Sequence, residues 1–216
     1  MLRDLPDDMA ALVVSACRRR RFAPNEVICH AGDPADSLYI LQSGHVAILV
    51  NTPLGQQLTF TILGPGQSFG ELSLLMAASA RSATARALDA AEILALRDTD
   101  LERLRREHPR LSDSLLRAVC AQVLRLSGQL AEFLYLPVET RIRRRVLDLG
   151  RLYEEDAGRT VIPLSQDEIA ALAGAARPTV NRVLRHEESL GIVELGRRRV
   201  TILDRDRLRA RAAWGL

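Results

Sequence analysis

A short segment rich in glycine and small residues carries the side chains with the most distinctive chemistry. It spans residues 69–85, where Gly70 allows the backbone to turn and to approach a ligand closely. The backbone N–H groups that follow would point at an anion if residues 72–76 form a helical turn. Arg81 adds a planar guanidinium suited to two phosphate oxygens, and Ser82 adds a hydroxyl donor. The sequence therefore predicts an anion site in this segment.

Glu71 is the unusual member of this segment, because a carboxylate beside an anion site is repulsive unless a hydroxyl group donates a hydrogen bond to it. A ribose 2′-hydroxyl is such a donor, as it is for the acidic residue of dinucleotide-binding folds. A sugar phosphate therefore satisfies both Glu71 and Arg81. The alternative interpretation is a β-turn with a surface Glu–Arg ion pair and no ligand.

The composition is that of an ordinary globular protein. The chain has 216 residues, of which 47% are hydrophobic and 26% are charged, enough for two modest domains. No apolar stretch has the length needed to cross a bilayer, and the N-terminus carries Asp4, Asp7 and Asp8 instead of a basic region followed by an apolar run. We therefore expect a cytoplasmic protein without membrane contact.

Cysteine and histidine are sparse and scattered. Cys17, Cys29 and Cys120 support neither a disulfide framework nor a CxxC metal site, and we expect three buried thiols. The four histidines also lack ligand spacing, so no metal is expected. Cys29 and His30 are adjacent and could in principle share a ligand, but neighbouring side chains on a strand point to opposite faces.

Arginine supplies all 30 basic residues, and its distribution is uneven. Residues 1–137 carry 14 arginines and 15 acidic residues, a formal charge of −1, whereas residues 138–216 carry 16 arginines and 12 acidic residues, a charge of +4. The excess predicts a nucleic-acid contact in the C-terminal part. The alternative is a solvated arginine-rich face.

Periodicity divides the first half of the chain from the rest. Residues 22–97 alternate short apolar segments with glycine and aspartate turns, which indicates an all-β sandwich or barrel whose last strand lies at 88–96. We predict a short helix at 8–19 before it, and a second at 98–108 that ends at Pro109.

A long helix is predicted from Arg110 to about Phe133. Its apolar residues recur at alternating intervals of three and four, typical of a coiled-coil seam; they are Leu116, Val119, Val123, Leu126, Leu130 and Phe133. Because Arg117, Gln122 and Arg125 lie outside this seam, we favour a parallel homodimer over a helix packed only on its own β domain. Pro137 breaks the pattern, and we predict a hinge at 134–137.

Residues 164–184 have the pattern of a helix-turn-helix. Ser165 and Glu168 form a capping box, and Gly174 permits the tight turn. Pro178 is tolerated in the first turn of the second helix. The residues expected to face the core are Ile169, Ala170, Leu172, Val180, Val183 and Leu184, which leaves Arg177, Thr179, Asn181, Arg182 and Arg185 on the polar faces.

A β-hairpin is predicted directly after the second helix. It spans residues 192–203 and carries Arg197, Arg198 and Arg199 at its tip, a natural phosphate contact. A helical hairpin without a DNA function is the alternative for the helix pair alone. The hairpin and the charge excess together favour binding of double-stranded DNA.

The segment at 69–85 closely resembles the phosphate-binding cassette of the cyclic AMP receptor protein (catabolite activator) family of bacterial regulators, the Crp–Fnr family. The resemblance extends over almost the whole chain. It implies an α+β fold with an N-terminal cyclic-nucleotide-binding β-roll at 1–109, a dimerisation helix and hinge at 110–137, and a C-terminal winged helix-turn-helix domain at 138–216.

The same resemblance implies the residues of two sites. The ribose and cyclic phosphate are assigned to Gly70, Glu71, Arg81 and Ser82, the loop shape to Leu72, Ser73 and Ala83, and the base end to Leu126 and Ser127. The DNA contacts are assigned to Arg177, Pro178, Thr179, Asn181, Arg182 and Arg185 on the recognition helix and to Arg197, Arg198 and Arg199 on the wing. Among them, Arg177 and Arg182 would contact bases and Thr179 a phosphate.

Four positions depart from the family pattern. Leu126 stands where the cyclic AMP receptors carry a threonine that reaches the adenine, and Gln122 stands where they place an arginine near the ribose-binding carboxylate. Pro178 replaces the acidic residue that follows the first arginine of the recognition helix. Ala176 replaces the usual serine cap.

The resemblance implies a homodimeric transcription regulator that responds to cyclic AMP, binds a two-fold symmetric DNA site and acts with RNA polymerase. Cyclic GMP, haem or no effector at all are the alternatives within the family, whereas an iron–sulfur cluster would need closely spaced N-terminal cysteines. An enzyme acting on cyclic nucleotides is not expected, because no His/Asp constellation could build a metal cluster or an activated nucleophile. A purely structural role of the β domain is disfavoured by the Glu71/Arg81 pair.

Overall fold

The computed structural model describes residues 7–51, 57–72, 80–154 and 159–213. The chain divides into two compact units, Met1–Arg125 and Leu126–Leu216. Strands dominate the first unit and helices the second, so the predicted α+β class is confirmed. The division falls within one long helix, and the predicted separate segment at 110–137 stays a prediction.

In the described part of the chain, two four-stranded antiparallel sheets build the first unit. Their orders are β1-β8-β3-β6 and β2-β7-β4-β5. The strands are β1 (Arg18–Phe22), β2 (Val27–Cys29), β3 (Ser37–Ser43), β4 (Val46–Asn51), β5 (Gln57–Leu63), β6 (Ser68–Phe69), β7 (Thr84–Ala87) and β8 (Ala91–Arg97). Among the residues that the structure describes, the longer helices of this part are α1 (Asp7–Ala16), α2 (Asp98–Glu107) and α3 (Pro109–Tyr135), and the C-terminal part of α3 belongs to the second unit.

The two faces of β3 belong to two different hydrophobic clusters. Tyr39 and Leu41 pack between the sheets, whereas Leu38 and Ile40 pack on the other face with residues of α1, α2 and α3. Alternate residues of a strand point to opposite faces, so a strand covered on both sides is apolar throughout. This explains why Leu38, Tyr39, Ile40 and Leu41 form an uninterrupted apolar run.

The predicted helix at 8–19 is too long. Helix α1 ends at Ala16, and Arg18 and Arg19 lie in β1, which pairs with β8. Glu92 of β8 holds both Arg19 and Arg21, at 2.9 and 3.1 Å, because residues two apart in a strand share a face. These cross-strand ion pairs favour the extended conformation.

Several other boundaries differ from the predictions. The last strand begins at Ala91 instead of residue 88, because Asp89 accepts hydrogen bonds from the backbone N–H and the ring of His45 in a turn. Pro109 begins α3 as well as ending the preceding segment, which its missing N–H permits at a helix start.

The expectation of three buried thiols is wrong. Cys17 and Cys29 are half-buried, and Cys120 is exposed on α3. Burial, together with the nearby Asp100 carboxylate, raises the pKa of Cys17 to about 11, so this thiol is protonated at neutral pH.

The second unit contains a three-stranded sheet and a helix-turn-helix. The sheet order is β10-β11-β9. After the end of α3, its elements are α4 (Val138–Leu152), β9 (Thr160–Ile162), α5 (Gln166–Ala173), α6 (Arg177–Ser189), β10 (Val193–Gly196), β11 (Arg199–Ile202) and α7 (Arg205–Ala212). Within the described ranges, no helix is both long enough and apolar enough to span a bilayer.

Candidate functional sites

A cavity of about 480 Å³ lies in the first unit, a volume usual for small-molecule sites. The structure brings six of the predicted ligand residues to its wall: Gly70, Glu71, Leu72, Arg81, Ser82 and Ala83. Residues of β4, β5 and α3 supply further parts of the wall. Ser73 lies outside the described residues.

Arg81 is buried in this wall, with 5% of its surface exposed. Its guanidinium carbon lies 4.8 Å from the ring centre of Tyr39. One Nη donates to the carbonyl oxygen of Gly70 and the other to Asp36 Oδ1, both at 3.4 Å. The buried Nε has no hydrogen-bond partner among the described residues. The guanidinium is thus fixed in place by long contacts and retains donor capacity for an anion.

Position 70 has no room for a side chain. Its φ is +84°, and a Cβ there would overlap Arg81 Nη1 and approach the carbonyl oxygen of Ser37. The glycine therefore allows Arg81 to lie directly against the turn. A side chain at this position would displace the guanidinium.

Glu71 begins the helical turn that follows. Burial raises the pKa of its carboxyl group above the ordinary value, opposed by a backbone hydrogen bond and by the positive charge of Arg125. Its Oε2 is buried and has no hydrogen-bond partner within the described part of the chain. A buried acceptor without a donor is costly, so a ligand hydroxyl would stabilise it.

Helix α3 contributes more polar chemistry to the cavity than the sequence indicated. Gln122 and Arg125 both line it, three residues apart on one face of the helix. The seam pattern leaves Arg125 outside and assigns it no role, although its spacing from Gln122 indicates a shared face. Leu126 and Ser127 do not line the cavity as the described residues form it, and their contact with a ligand stays a prediction.

The helix-turn-helix forms from the local signals expected. The Ser165 side chain accepts from the backbone of Glu168 while the Glu168 side chain accepts from the backbone of Ser165, and Gly174 has a left-handed φ of +55°. The inner face of α6 is buried at all three predicted positions, which are Val180, Val183 and Leu184. Leu172, expected in the core, is only half-buried, and Ala173 is buried in its place.

The predicted DNA-contacting arginines of α6 are exposed and each is paired with a carboxylate. Arg177 lies 3.5 Å from Asp167, Arg182 lies 2.8 Å from Glu139 and Arg185 lies 2.7 Å from Glu188. Pro178 and Asn181 are exposed, and Thr179 is half-buried. Because exposed pairs of this kind are weak, phosphate groups can compete for the guanidinium groups.

The β10–β11 hairpin places its arginines beside α6. Gly196 pairs with Arg199, and Arg197 and Arg198 form the tip, where Arg198 has a φ of +52°. Arg198 and Arg199 line a polar groove together with Arg177, Asn181 and Arg185. Arg197 and Arg182 do not border this groove as the described residues define it. A groove lined by arginine from a helix and from a hairpin fits a phosphate backbone.

Comparison with known proteins decides the family. Two family models match, a cyclic nucleotide-binding domain at residues 19–108 and a Crp-like helix-turn-helix domain at residues 128–211. The CRP-like cAMP-activated global transcriptional regulator of Mycobacterium tuberculosis is 31% identical, over 88% of this chain and 86% of the relative. The chain belongs to the Crp–Fnr family of bacterial transcription regulators.

Other relatives agree with this assignment. The cyclic AMP receptor protein of Thermus thermophilus is 34% identical over 91% of this chain and 88% of its own length. A solved structure of the c-di-GMP responsive global regulator CLP from Xanthomonas campestris has the same fold, with a TM-score of 0.76 and 23% identity over 91% of this chain and 99% of that one. This Crp–Fnr protein is therefore a cyclic-nucleotide-binding transcription regulator and, like its relatives, not an enzyme.

Proposed function

We propose that this protein is a homodimeric regulator whose binding to DNA is controlled by cyclic AMP. The observation that carries the proposal is a pair of buried polar atoms without hydrogen-bond partners in the cavity of the first unit. Within the described chain, Arg81 Nε and Glu71 Oε2 are both buried without partners and line the same cavity. A cyclic phosphate accepts from Arg81 and a ribose hydroxyl donates to Glu71, so one ligand satisfies both.

The choice of cyclic AMP rests on the relatives. Proteins that are 31% and 34% identical over most of their length carry cyclic AMP in their names. The fold itself does not select the effector, because a regulator described as c-di-GMP responsive shares it. Cyclic GMP and haem are the competing effectors, and ligand-independent activity is the remaining alternative.

Homodimer formation is supported by the exposed apolar residues of α3. Six of its large hydrophobic side chains are more than half exposed in the single chain: Leu116, Val123, Leu124, Leu130, Leu134 and Tyr135. Three of them belong to the seam with alternating spacing of three and four, and a second copy would cover them. Leu126 lies in the same seam, and a leucine there stabilises pairing without a ligand.

DNA binding by both copies would place two α6 helices in successive major grooves of a two-fold symmetric site. RNA polymerase is the partner expected of such a regulator. Cyclic AMP shifts the population toward the DNA-competent state only if it contacts that state better than the other. Because Leu126 favours pairing without ligand, we expect some specific DNA binding by the unliganded protein, and stricter dependence on ligand in Leu126→Thr.

Titration calorimetry with cyclic AMP and cyclic GMP tests the proposal. Arg81→Leu should weaken binding by about 2–5 kcal/mol, because a charged partner of the phosphate is removed from a buried site. Ser82→Ala should weaken it less, and Arg97→Leu, an exposed arginine outside the cavity wall, should not change it.

Absence of binding of any cyclic nucleotide to the wild-type protein would contradict the proposal, as would an absorbance spectrum with a haem band. Unchanged affinity in Arg81→Leu would remove the assignment of the phosphate site. Sedimentation velocity measures the oligomeric state separately, and a monomer at micromolar concentration with and without ligand would contradict the homodimer.

A further inference from the structure

A carboxylate from outside the helix-turn-helix contacts one of the arginines predicted to read bases. Glu139, in the first turn of α4, accepts a hydrogen bond from Arg182 Nη2 at 2.8 Å. The Arg182 side chain is 67% exposed and that of Glu139 is 35% exposed. Arg182 lies one turn after Pro178 on the exposed face of α6. An acidic group therefore lies beside the surface that is expected to face DNA.

A second ion pair, one turn further along α4, holds α4 against α6. Arg143 follows Glu139 by four residues, and its Nε donates to Oε1 of the buried Glu187 at 2.8 Å. Residues four apart in a helix share a face, so one face of α4 makes both contacts with α6. Breaking a buried pair of this kind is costly, so Arg143 and Glu187 keep Glu139 close to Arg182.

The pair formed by Glu139 and Arg182 has no net charge at neutral pH. The hydrogen bond from Arg182, followed by a backbone hydrogen bond, lowers the pKa of the Glu139 carboxyl group, which is therefore ionised. Attraction to DNA of any sequence depends on positive charge that replaces the counterions of the phosphates. An arginine whose charge is cancelled by a neighbour adds little to that attraction.

The contact with Glu139 is compatible with base recognition by Arg182. Arginine has five N–H donors, of which this contact uses one, and a bidentate contact to guanine O6 and N7 needs two. A guanidinium that is already held in one orientation also loses less conformational entropy when it binds. Phosphate attraction acts on every sequence, whereas base contacts act on one. Glu139 reduces the first and preserves the second.

We propose that Glu139 is a positioning residue that raises the sequence specificity of this regulator. It cancels the charge of Arg182 and so weakens binding to unrelated DNA, while it holds the guanidinium in place for a base contact. Glu139 acts through Arg182 and needs no contact of its own with DNA. This inference rests on the proposed function, since it requires α6 to enter the major groove.

Fluorescence anisotropy of the full chain with cyclic AMP tests the inference on two duplexes of equal length. One is a site that the wild type selects from random DNA, and the other is an unrelated sequence. Glu139→Gln should bind the unrelated duplex about two- to fivefold more tightly, and the slope of log affinity against log salt should become steeper by about 1. Affinity for the selected site should change less, because lost orientation of Arg182 offsets the gain in charge.

Two further variants separate the role of Arg182 from a general effect of charge. Asp206→Asn makes the same change of charge on α7, where Asp206 pairs with Arg209 of the same helix. It should affect the two duplexes equally and by less than about twofold. In an Arg182→Leu background, Glu139→Gln should strengthen both duplexes alike, because the arginine that Glu139 orients has been removed.

The outcomes distinguish this inference from the proposed function. An equal gain for both duplexes in Glu139→Gln would overturn the inference, because Glu139 would then contribute only negative charge. Unchanged affinities for both duplexes would overturn it as well. Either result leaves a DNA-binding regulator controlled by cyclic AMP intact, whereas a wild-type protein that selects no DNA sequence overturns both.

Discussion

The ring of Phe133 fills the space that a side chain at Gly174 would need, so that a Cβ built on the glycine overlaps the ring. Arg141 covers the ring from 4.5 Å and donates to the carbonyl oxygens of both Phe133 and Gly174, at 3.3 and 3.4 Å. The last turn of α3 is thereby fixed to the turn of the helix-turn-helix. The cation–π contact and the two hydrogen bonds together stabilise this contact between α3 and the turn.

Gly174→Ala should therefore destabilise the second unit more than Gly191→Ala. Both glycines have left-handed φ values, +55° and +69°, which cost an alanine about 1–2 kcal/mol. Nothing lies within 4 Å of a Cβ at Gly191, whereas Phe133 obstructs one at Gly174 and adds about 1–3 kcal/mol for overpacking. Urea unfolding of the two variants measures the difference.

Phe133→Ala in the Gly174→Ala background provides the control. Removing the ring should recover the overpacking part of the loss, so the two substitutions should be strongly non-additive. Equal destabilisation by Gly174→Ala and Gly191→Ala would show that Phe133 does not restrict position 174.

Sequence signals that act within a few residues predicted the second unit well. The capping box of Ser165 and Glu168 and the tight turn at Gly174 each depend on neighbouring residues, and both appear in the structure. The spacing of apolar residues also identified the inner face of α6. Local chemistry and periodicity therefore determine most of the helix-turn-helix.

Features that depend on contacts between distant residues could not be predicted from the sequence. The extension of β1 over Arg18 and Arg19 requires Glu92, which lies more than 70 residues away. The position of Arg125 in the cavity wall depends on the strands that form the rest of the cavity. A charged residue in a helical pattern is usually solvated, and only the tertiary structure distinguishes the exceptions.

The predicted hinge at 134–137 is bridged by ion pairs. Glu132 accepts from Arg144 with one carboxylate oxygen and from Arg145 with the other, at 2.8 and 2.9 Å. These residues lie on both sides of Pro137. The hinge stays a prediction, and any bending there would have to stretch or break these contacts.

Glu187 should make the stability of the second unit depend on acidic pH. The residue is completely buried on α6 and bonds with Arg143 and Arg211 at 2.7–3.1 Å. Burial alone raises the pKa of its carboxyl group, but hydrogen bonds from Arg211 and Arg143 outweigh burial and hold the pKa below 4.5. Its stabilisation is therefore complete above the pKa of the unfolded chain and is lost as pH falls through the lower folded value.

Glu187→Gln should lower the free energy of unfolding by about 2 kcal/mol at pH 7. This loss is smaller than is usual for a broken buried ion pair, because both arginines retain some solvent contact. The variant should also lose stability less steeply than the wild type between about pH 5 and pH 3. Glu194→Gln, at an exposed position of β10, is the control. Parallel pH profiles for wild type and Glu187→Gln would contradict this role of Glu187.

Ala176→Ser should stabilise the recognition helix. Ala176 is the N-cap of α6 and makes no side-chain cap hydrogen bond, whereas Ser165 caps α5. A serine there can accept from a backbone N–H of the first turn and should add about 1 kcal/mol to the free energy of unfolding. Ser165→Ala should lose a similar amount. If Ala176→Ser is no more stable than the wild type, water already satisfies the free N–H groups.

Binding of a cyclic nucleotide should weaken at acidic pH through Glu71. Burial raises the pKa of this carboxyl group, so it becomes protonated at a higher pH than an exposed glutamate. The protonated form accepts less well from a ribose hydroxyl, and affinity should fall from pH 7 to about pH 5. Glu71→Gln should have lower affinity at pH 7 and a flatter pH profile. Equal pH dependence in calorimetric titrations of both proteins would exclude Glu71 as the titrating group.

Arg177 and Arg198 should contribute to DNA binding in different ways. Arg177 occupies the first turn of α6, where a bidentate contact to guanine O6 and N7 is worth about 1–3 kcal/mol of discrimination. Pro178 beside it has no polar side chain, so preference at the neighbouring base pair should be weak. Arg198 at the tip of the hairpin should contact a DNA phosphate. The strength of such a contact falls with salt concentration and does not depend on the DNA sequence.

A selected-site binding assay with Arg177→Ala and Arg198→Ala separates these roles. Arg177→Ala should abolish the preference for one guanine in each half of the symmetric site. Arg198→Ala should weaken all sequences alike and reduce the salt slope by about 1. Asp167→Asn is the control, since it removes the partner 3.5 Å from Arg177 and keeps the arginine; it should retain the guanine preference. An unchanged sequence preference in Arg177→Ala would refute the base contact, because a residue that only neutralises phosphate cannot distinguish one base pair from another.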